Sequence, residues 1–123
     1  MKEEKKSRSA KQVIVMRKDL NMRKGKMIAQ GAHASGKVLL DSAVDDAMKS
    51  WLENGVTKIC VYVNSEQELR DIFKQARQAK LPSALITDSG HTEFRGIPTV
   101  TCCAIGPAWS EDVDKITGEL PLL

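Results

Sequence analysis

Aromatic residues make up only 4% of this 123-residue chain, histidine occurs twice and cysteine three times. Each scarcity narrows the chemistry. His33 and His91 belong to no H-E-x-x-H helix, and Cys60, Cys102 and Cys103 lack the C-x-x-C spacing of a zinc site, so no metal site and no cofactor are expected. Each cysteine falls in a run that reads as a buried strand and is expected to pack in the core. Cys102 and Cys103, being neighbours, should point to opposite faces of their strand. Neither a Walker A loop nor a G-x-S-x-G elbow occurs, and a Ser-His-Asp triad has no support because neither histidine has an evident carboxylate partner. Apolar runs fall well short of the roughly 20 residues a membrane helix needs.

What is present is an ordinary soluble composition, 41% hydrophobic and 28% charged, and a length suited to one domain. Residues 1–11 are expected to be a charged, flexible arm, not a signal peptide, and residues 12–123 the folded domain in a cytoplasmic protein. The net charge of +3 is unevenly divided. Residues 1–37 carry 11 Lys and Arg against 3 acids, whereas residues 38–123 carry 8 against 13. A concentrated basic end suggests a polyanionic partner, since phosphate neutralisation dominates nucleic-acid affinity. The arm alone is equally well a solvated tail, but Arg17, Lys18, Arg23, Lys24, Lys26 and Lys37 lie within the structured pattern.

Periodicity predicts an α/β fold, a single layered domain with a four-stranded mixed sheet flanked by helices in the order β-α-(α)-β-α-β-β-α. Residues 12–17 (QVIVMR) read as the first strand, residues 18–23 as a polar loop, and residues 24–54 as a long helical stretch with a break near 41–46. A second strand is expected over 56–63, and a helix opened by a capping box of Ser65 with Glu68. That helix should stop at 81–82. Third and fourth strands are expected over 83–87 and 99–105, with Gly106 and Pro107 ending the latter. Ser110, Glu111 and Asp112 look like the cap and acidic first turn of a last helix. The first three strands should run parallel, joined by right-handed crossovers.

Ligands of such sheets bind beyond the carboxyl ends of parallel strands. The basic loop after strand one and Asp88 at the end of strand three should therefore converge. Lys24 and Lys26 flank Gly25 at a helix start, where a cation is unfavourable against the dipole unless an anion is bound. Lys26, Gln30, His33 and Lys37 recur on one side of that helix as a stripe able to follow a nucleic-acid backbone, or simply as a solvated face. Asp88, before Ser89 and Gly90, reads first as ordinary turn chemistry, while a carboxylate at a strand end beside lysines is also suited to handling a water molecule. Thr92 and Thr99 flank the same loop.

Four segments together resemble the type II peptidyl-tRNA hydrolase family: VIVMRKDLNMRKGKMIAQGAHA (13–34), TDSGHTEF (87–94), PTVTCCAIGP (98–107) and DKITGELPLL (114–123). Their order and spacing, across residues 11–123, carry the likeness. The resemblance implies metal-free hydrolysis of the ester joining a peptide to the 3′ ribose of tRNA. It gives Lys26 as the catalytic lysine, Asp88 as the carboxylate, and Thr92 and Thr99 as the hydroxyls. Lys24 is then a tRNA contact, with Arg17, Lys18, Arg23, Gln30, His33 and Lys37 as further candidates for tRNA. Asp19 matches the R-x-D-L aspartate, as site support or loop cap, and His91 and Glu93 are supporting candidates. The chain departs from the commoner D-A-G-x-T-Q form at Ser89 and Glu93 and in a shortened 94–98 loop. An added acid near Asp88 would raise the carboxyl pKa or repel tRNA phosphate. Beside tRNA, the resemblance leaves a homodimer open. The rival expectations are a non-catalytic tRNA-binding or regulatory module and a hydrolase of another acyl or amide substrate.

Overall fold

The computed structural model describes residues 8–91 and 93–123, so Thr92 lies outside the described residues. The apolar run after Lys11 forms β1 (Ala10–Arg17), followed by a single 3-10 turn (Lys18–Leu20) and the helix α1 (Lys24–Asp41). The expected break separates α1 from α2 (Asp46–Glu53), which Asp45 caps by accepting the Met48 N–H at 2.9 Å. Then come β2 (Lys58–Val63), α3 (Glu66–Gln78), β3 (Ser83–Asp88), β4 (Thr99–Trp109) and α4 (Ser110–Thr117). Ser65 caps α3 by accepting the Glu68 N–H at 3.1 Å, while the Glu68 carboxylate accepts the Asn64 N–H one residue before the cap.

Among the described residues the strands form one mixed sheet in the order β2-β1-β4-β3. β1 and β2 are parallel, and β4 runs antiparallel to both β1 and β3. The first three strands therefore point the same way, but β4 is inserted between β1 and β3. The carboxyl ends of β1 and β3 meet at one sheet edge, against the start of β4.

Alternation along β1 divides the core. Val13 and Val15 face α3 and α4, packing with Leu69, Ala76, Ile105 and Val113, whereas Ile14 and Met16 face α1, packing with Ala34, Val38 and Cys102. Each fully buried Val, Leu or Ile contributes roughly 1.5–3 kcal/mol. α2 extends the α1 layer by burying Ala47 and Trp51 with Ala10. Gln12 is fully buried, with Ser35 Oγ donating to its Oε1 at 2.6 Å and its Nε2 donating to the Gly106 carbonyl at 3.0 Å, which ties α1 to the sheet.

Three expectations need correction. β4 does not end at Gly106 and Pro107, whose peptide bond is cis, but continues to Trp109. It can do so because β1 starts two residues earlier than expected and gives Ala108 and Trp109 partners in Lys11 and Ala10. Gly106 has φ 92°, and a Cβ there would lie 2.4 Å from the Lys11 carbonyl oxygen, so glycine permits this continuation. Ser110 is the first residue of α4 and not its cap; its hydroxyl accepts from Ser9 at 2.8 Å. Cys60 is exposed, because β2 is an edge strand and α1 leaves part of its outer face uncovered. Cys102 and Cys103 are buried on opposite faces, and burial pushes their thiols up, Cys102 to about 11.

Candidate active site

The convergence expected from topology occurs. Lys26, in the first turn of α1, donates from Nζ to Asp88 Oδ1 at 2.8 Å, although the two are 62 positions apart in sequence. Both side chains are largely withdrawn from solvent, Lys26 at 15% exposure and Asp88 at 11%. Asp88 Oδ1 also accepts from Gln30 Nε2 at 3.3 Å, and Oδ2 accepts from the Gly90 N–H at 2.8 Å. The hydrogen bond from Lys26 is the main cause holding the Asp88 carboxyl below its ordinary range; the Gly90 and Gln30 donors add to it and burial opposes it. Asp88 is therefore an anion over the neutral pH range.

Gln30 is not a solvent-facing member of the Lys26–Lys37 stripe. It is 3% exposed, turned toward the sheet between Asp88 and Thr101. Thr101 Oγ1 donates to Gln30 Oε1 at 2.5 Å, which leaves the amide nitrogen to face Asp88. Sequence reasoning missed Thr101, and regular alternation would place it with Cys103 and Ile105 against α3 and α4. The register of β3 and β4 shifts between Ile86 and Thr87, paired with Cys102 and Val100, so Thr101 is an extra residue in β4. A bulge of this kind re-aims a side chain. Here it turns the hydroxyl toward α1.

Arg17 also differs from expectation. It is 9% exposed, and its guanidinium donates to the Asp19 carboxylate at 2.7 and 3.2 Å and to the Val100 carbonyl at 3.0 Å. It fixes the turn after β1 to the start of β4 and is not displayed to a polyanion. That pairing is the structural role of Asp19. Thr99 donates to the Ile97 carbonyl at 2.8 Å within its own loop.

Other candidate cations stay exposed. Arg23 is 91% exposed and lies 4.0 Å from Glu93. Glu93 thus turns toward the basic loop, and the causes of the Asp88 shift do not include it. Lys24 is exposed, Lys18 stacks over the Tyr62 ring at 4.3 Å, and Lys37 pairs with Asp41 at 3.1 Å. His33 and His91 are exposed. Phe94, from the shortened loop, places its ring 5.9 Å from Lys26 Nζ and packs on the α1 side of the core. Among the described residues, no three His, Cys, Asp or Glu side chains gather as metal ligands.

A half-buried ammonium and carboxylate, held in place by an amide and a backbone N–H beside exposed cations, suit the binding of an anion and the orientation of a water molecule. Comparison with known proteins narrows this. The chain matches the family described as "Peptidyl-tRNA hydrolase PTH2" over residues 10–123. It is 49% identical over 115 residues to the peptidyl-tRNA hydrolase of Methanocaldococcus jannaschii, covering 92% of this chain and 99% of that protein. Identity to the peptidyl-tRNA hydrolase of Methanothermobacter thermautotrophicus is 44%, covering 92% and 99%, and to that of Halobacterium salinarum 46%, covering 91% and 98%.

Proposed function

The chain belongs to the PTH2 family of peptidyl-tRNA hydrolases, and from that premise we propose that it hydrolyses the peptide-to-tRNA ester at the Lys26 and Asp88 pair, without a metal ion. The observation that carries this reading is the ion pair itself, 2.8 Å long and largely withdrawn from water. Charges in such a site act more strongly than in bulk solvent.

Asp88 Oδ2 accepts the Gly90 N–H, and a carboxylate oxygen can accept a second donor, the role we assign to a water molecule. Its low basicity suits orienting that water against the ester carbonyl better than deprotonating it outright. Lys26 stabilises the charge that develops on the carbonyl oxygen, or on an adjacent phosphate. The partners of Asp88 are an ammonium, an amide N–H and a backbone N–H, a set that would repel a cation, which supports the metal-free reading. Lys18, Arg23, Lys24, His33 and Lys37 hold the acceptor end of tRNA. Thr92 and Thr99 are the proposed hydroxyls of the same pocket. We place the enzyme in the cytoplasm, and a second copy of the chain is the other partner we propose.

The test is release of peptide from peptidyl-tRNA by the purified protein, with and without EDTA. Lys26→Ala and Asp88→Asn should each lower kcat by roughly 10²–10³-fold, the cost of one electrostatic donor elsewhere, with the fold retained by circular dichroism. Near-normal turnover by either variant removes that residue from the mechanism. Tight tRNA binding without release by the wild type would favour the non-catalytic binding module.

A further inference from the structure

Residues 38–123 carry 13 acids against 8 bases, yet half of those bases fall in one short stretch, Arg70, Lys74, Arg77 and Lys80. Arg70, Lys74 and Arg77 follow one another in α3 at intervals of four and three, which sets them on one flank of the helix. All three are exposed, as is Lys80 just beyond the helix end. The acids Glu68 and Asp71 fall on the other flank. Glu66 begins the basic flank, but its carboxylate is already engaged by Arg70 at 2.8 Å and Arg17 at 3.6 Å. Farther along no acid balances the cations. Lys74 and Lys80 make no ion pair among the described residues, and Arg77 meets only the Ser83 carbonyl and the Phe73 ring.

Lys80 stands out for its backbone as well. α3 closes in a Schellman turn, the Leu81 N–H donating to the Ala76 carbonyl and the Lys80 N–H to the Arg77 carbonyl, both at 3.0 Å. Lys80 has φ 61° there. Glycine is the ordinary occupant of that left-handed position, because a side chain strains it. The chain thus keeps a cation where stability alone favours glycine. Attraction to the helix dipole accounts for Arg77 in the last turn, but it does not reach Lys74 and does not require a strained residue.

We propose that this flank of α3, extended by Lys80, holds phosphates of the double-stranded stem of tRNA while the 3′ end lies at Asp88. The assignment rests on the tRNA substrate proposed above. The fold gives the flank its direction. Glu66, the first residue of α3, is 3.6 Å from Arg17 at the carboxyl end of β1, so the helix begins at the sheet edge where Asp88 lies. Arg77 reaches the Ser83 carbonyl at the start of β3, at the opposite edge. The basic flank therefore runs beside β3, the outer strand that ends in Asp88, and Arg70 to Arg77 spans roughly 10 Å of it. On its other side α3 packs beside α4, which carries Glu111, Asp112 and Asp114. A polyanion is repelled from α4 and drawn to the β3 side. Every exposed residue of α3 is polar. That suits a phosphate backbone better than an acidic protein, whose contact would need an apolar centre.

Two ligands test it with the full chain: uncharged tRNA, and a short single-stranded RNA of the acceptor-end sequence that lacks the stem. Lys74→Ala should weaken tRNA binding roughly 3–10-fold and lower its salt slope by about 0.7–0.9, while the short RNA binds as before. With peptidyl-tRNA as substrate, KM should rise by a similar factor and kcat hold. Lys80→Gly separates charge from fold, since relief of the strained position should raise the melting temperature by about 2–5 °C while tRNA affinity falls. Unchanged tRNA affinity in both variants overturns the proposal and leaves the flank to an acidic protein. Equal losses for the short RNA also overturn it, because the effect would then be one of net charge. A wild type that binds no tRNA overturns it together with the hydrolase reading, whereas a wild type that binds and hydrolyses, with both variants its equal, removes this surface alone.

Discussion

Thr101 shows how much one residue out of step can determine. Its hydroxyl reaches Gln30 because the register shift in β4 turns it toward α1. By occupying Gln30 Oε1 it commits the amide nitrogen to Asp88. Removing that hydroxyl in Thr101→Val frees the amide to rotate and present oxygen to a carboxylate. We expect kcat to fall roughly 2–10-fold, the worth of one ordinary hydrogen bond, with KM little changed. The pH profile separates this from a merely structural loss. The Asp88 carboxyl lies below its ordinary value of 3.8, so in the wild type the anion persists as pH falls through the usual carboxylate range. In Thr101→Val the acid limb of kcat should move upward. An unmoved limb would show that Gln30 does not tune Asp88. The same shift has a stability consequence: a depressed carboxyl contributes stability that is complete above the unfolded-state value and is lost as pH falls through the folded one. Asp88→Asn should therefore flatten the loss of stability below about pH 4 in denaturant titrations. The part of Thr101 in this network is not visible in the sequence, because Thr101 sits in an apolar run and only strand pairing reveals the bulge. Arg17 and Gln30 were misplaced for a related reason: polar residues in amphipathic positions read as surface until a buried partner, Asp19 or Asp88, is found for them.

At the scale of elements, the loop from β3 to β4 holds the site by its backbone. Gly90 has φ 87°, and a Cβ there would lie 2.3 Å from the Ile97 carbonyl oxygen. Gly96, in the same loop, has φ 76° but open space around it. The two glycines thus form a controlled pair. Gly96→Ala should cost only the backbone strain, on the order of 1–3 kcal/mol of stability, and keep kcat near normal. Gly90→Ala must also push the loop apart, withdrawing the N–H from Asp88, so kcat should fall at least about tenfold. Equal effects on turnover would show that loop closure does not matter to the reaction. The elements themselves were largely legible, since β-branched runs, the Ser65 cap and the break before Asp46 are local signals. What escaped depended on neighbours. β4 runs past Gly106 because β1 offers it partners, and Cys60 is exposed because β2 lies at the sheet edge beyond the cover of α1.

For the molecule as a whole, the uneven charge separates cations that serve the fold from cations that serve a ligand. Both kinds occur in the first 37 residues, and sequence alone treats them alike. Arg17 is committed to Asp19 and Val100, whereas Arg23 and Lys24 are exposed around the mouth of the site. Salt dependence tells them apart. Each cation that neutralises a phosphate adds roughly 0.7–0.9 to the slope of log affinity against log salt. Titrating tRNA binding between about 50 and 200 mM salt should give a slope that falls by about one in Lys24→Ala and again in Arg23→Ala. Arg17→Ala should leave the slope alone and lower the melting temperature, because it strands the Asp19 carboxylate and the Val100 carbonyl. A reduced slope in Arg17→Ala with normal melting would mean that its guanidinium leaves Asp19 for phosphate when tRNA binds, and that the turn after β1 rearranges with it.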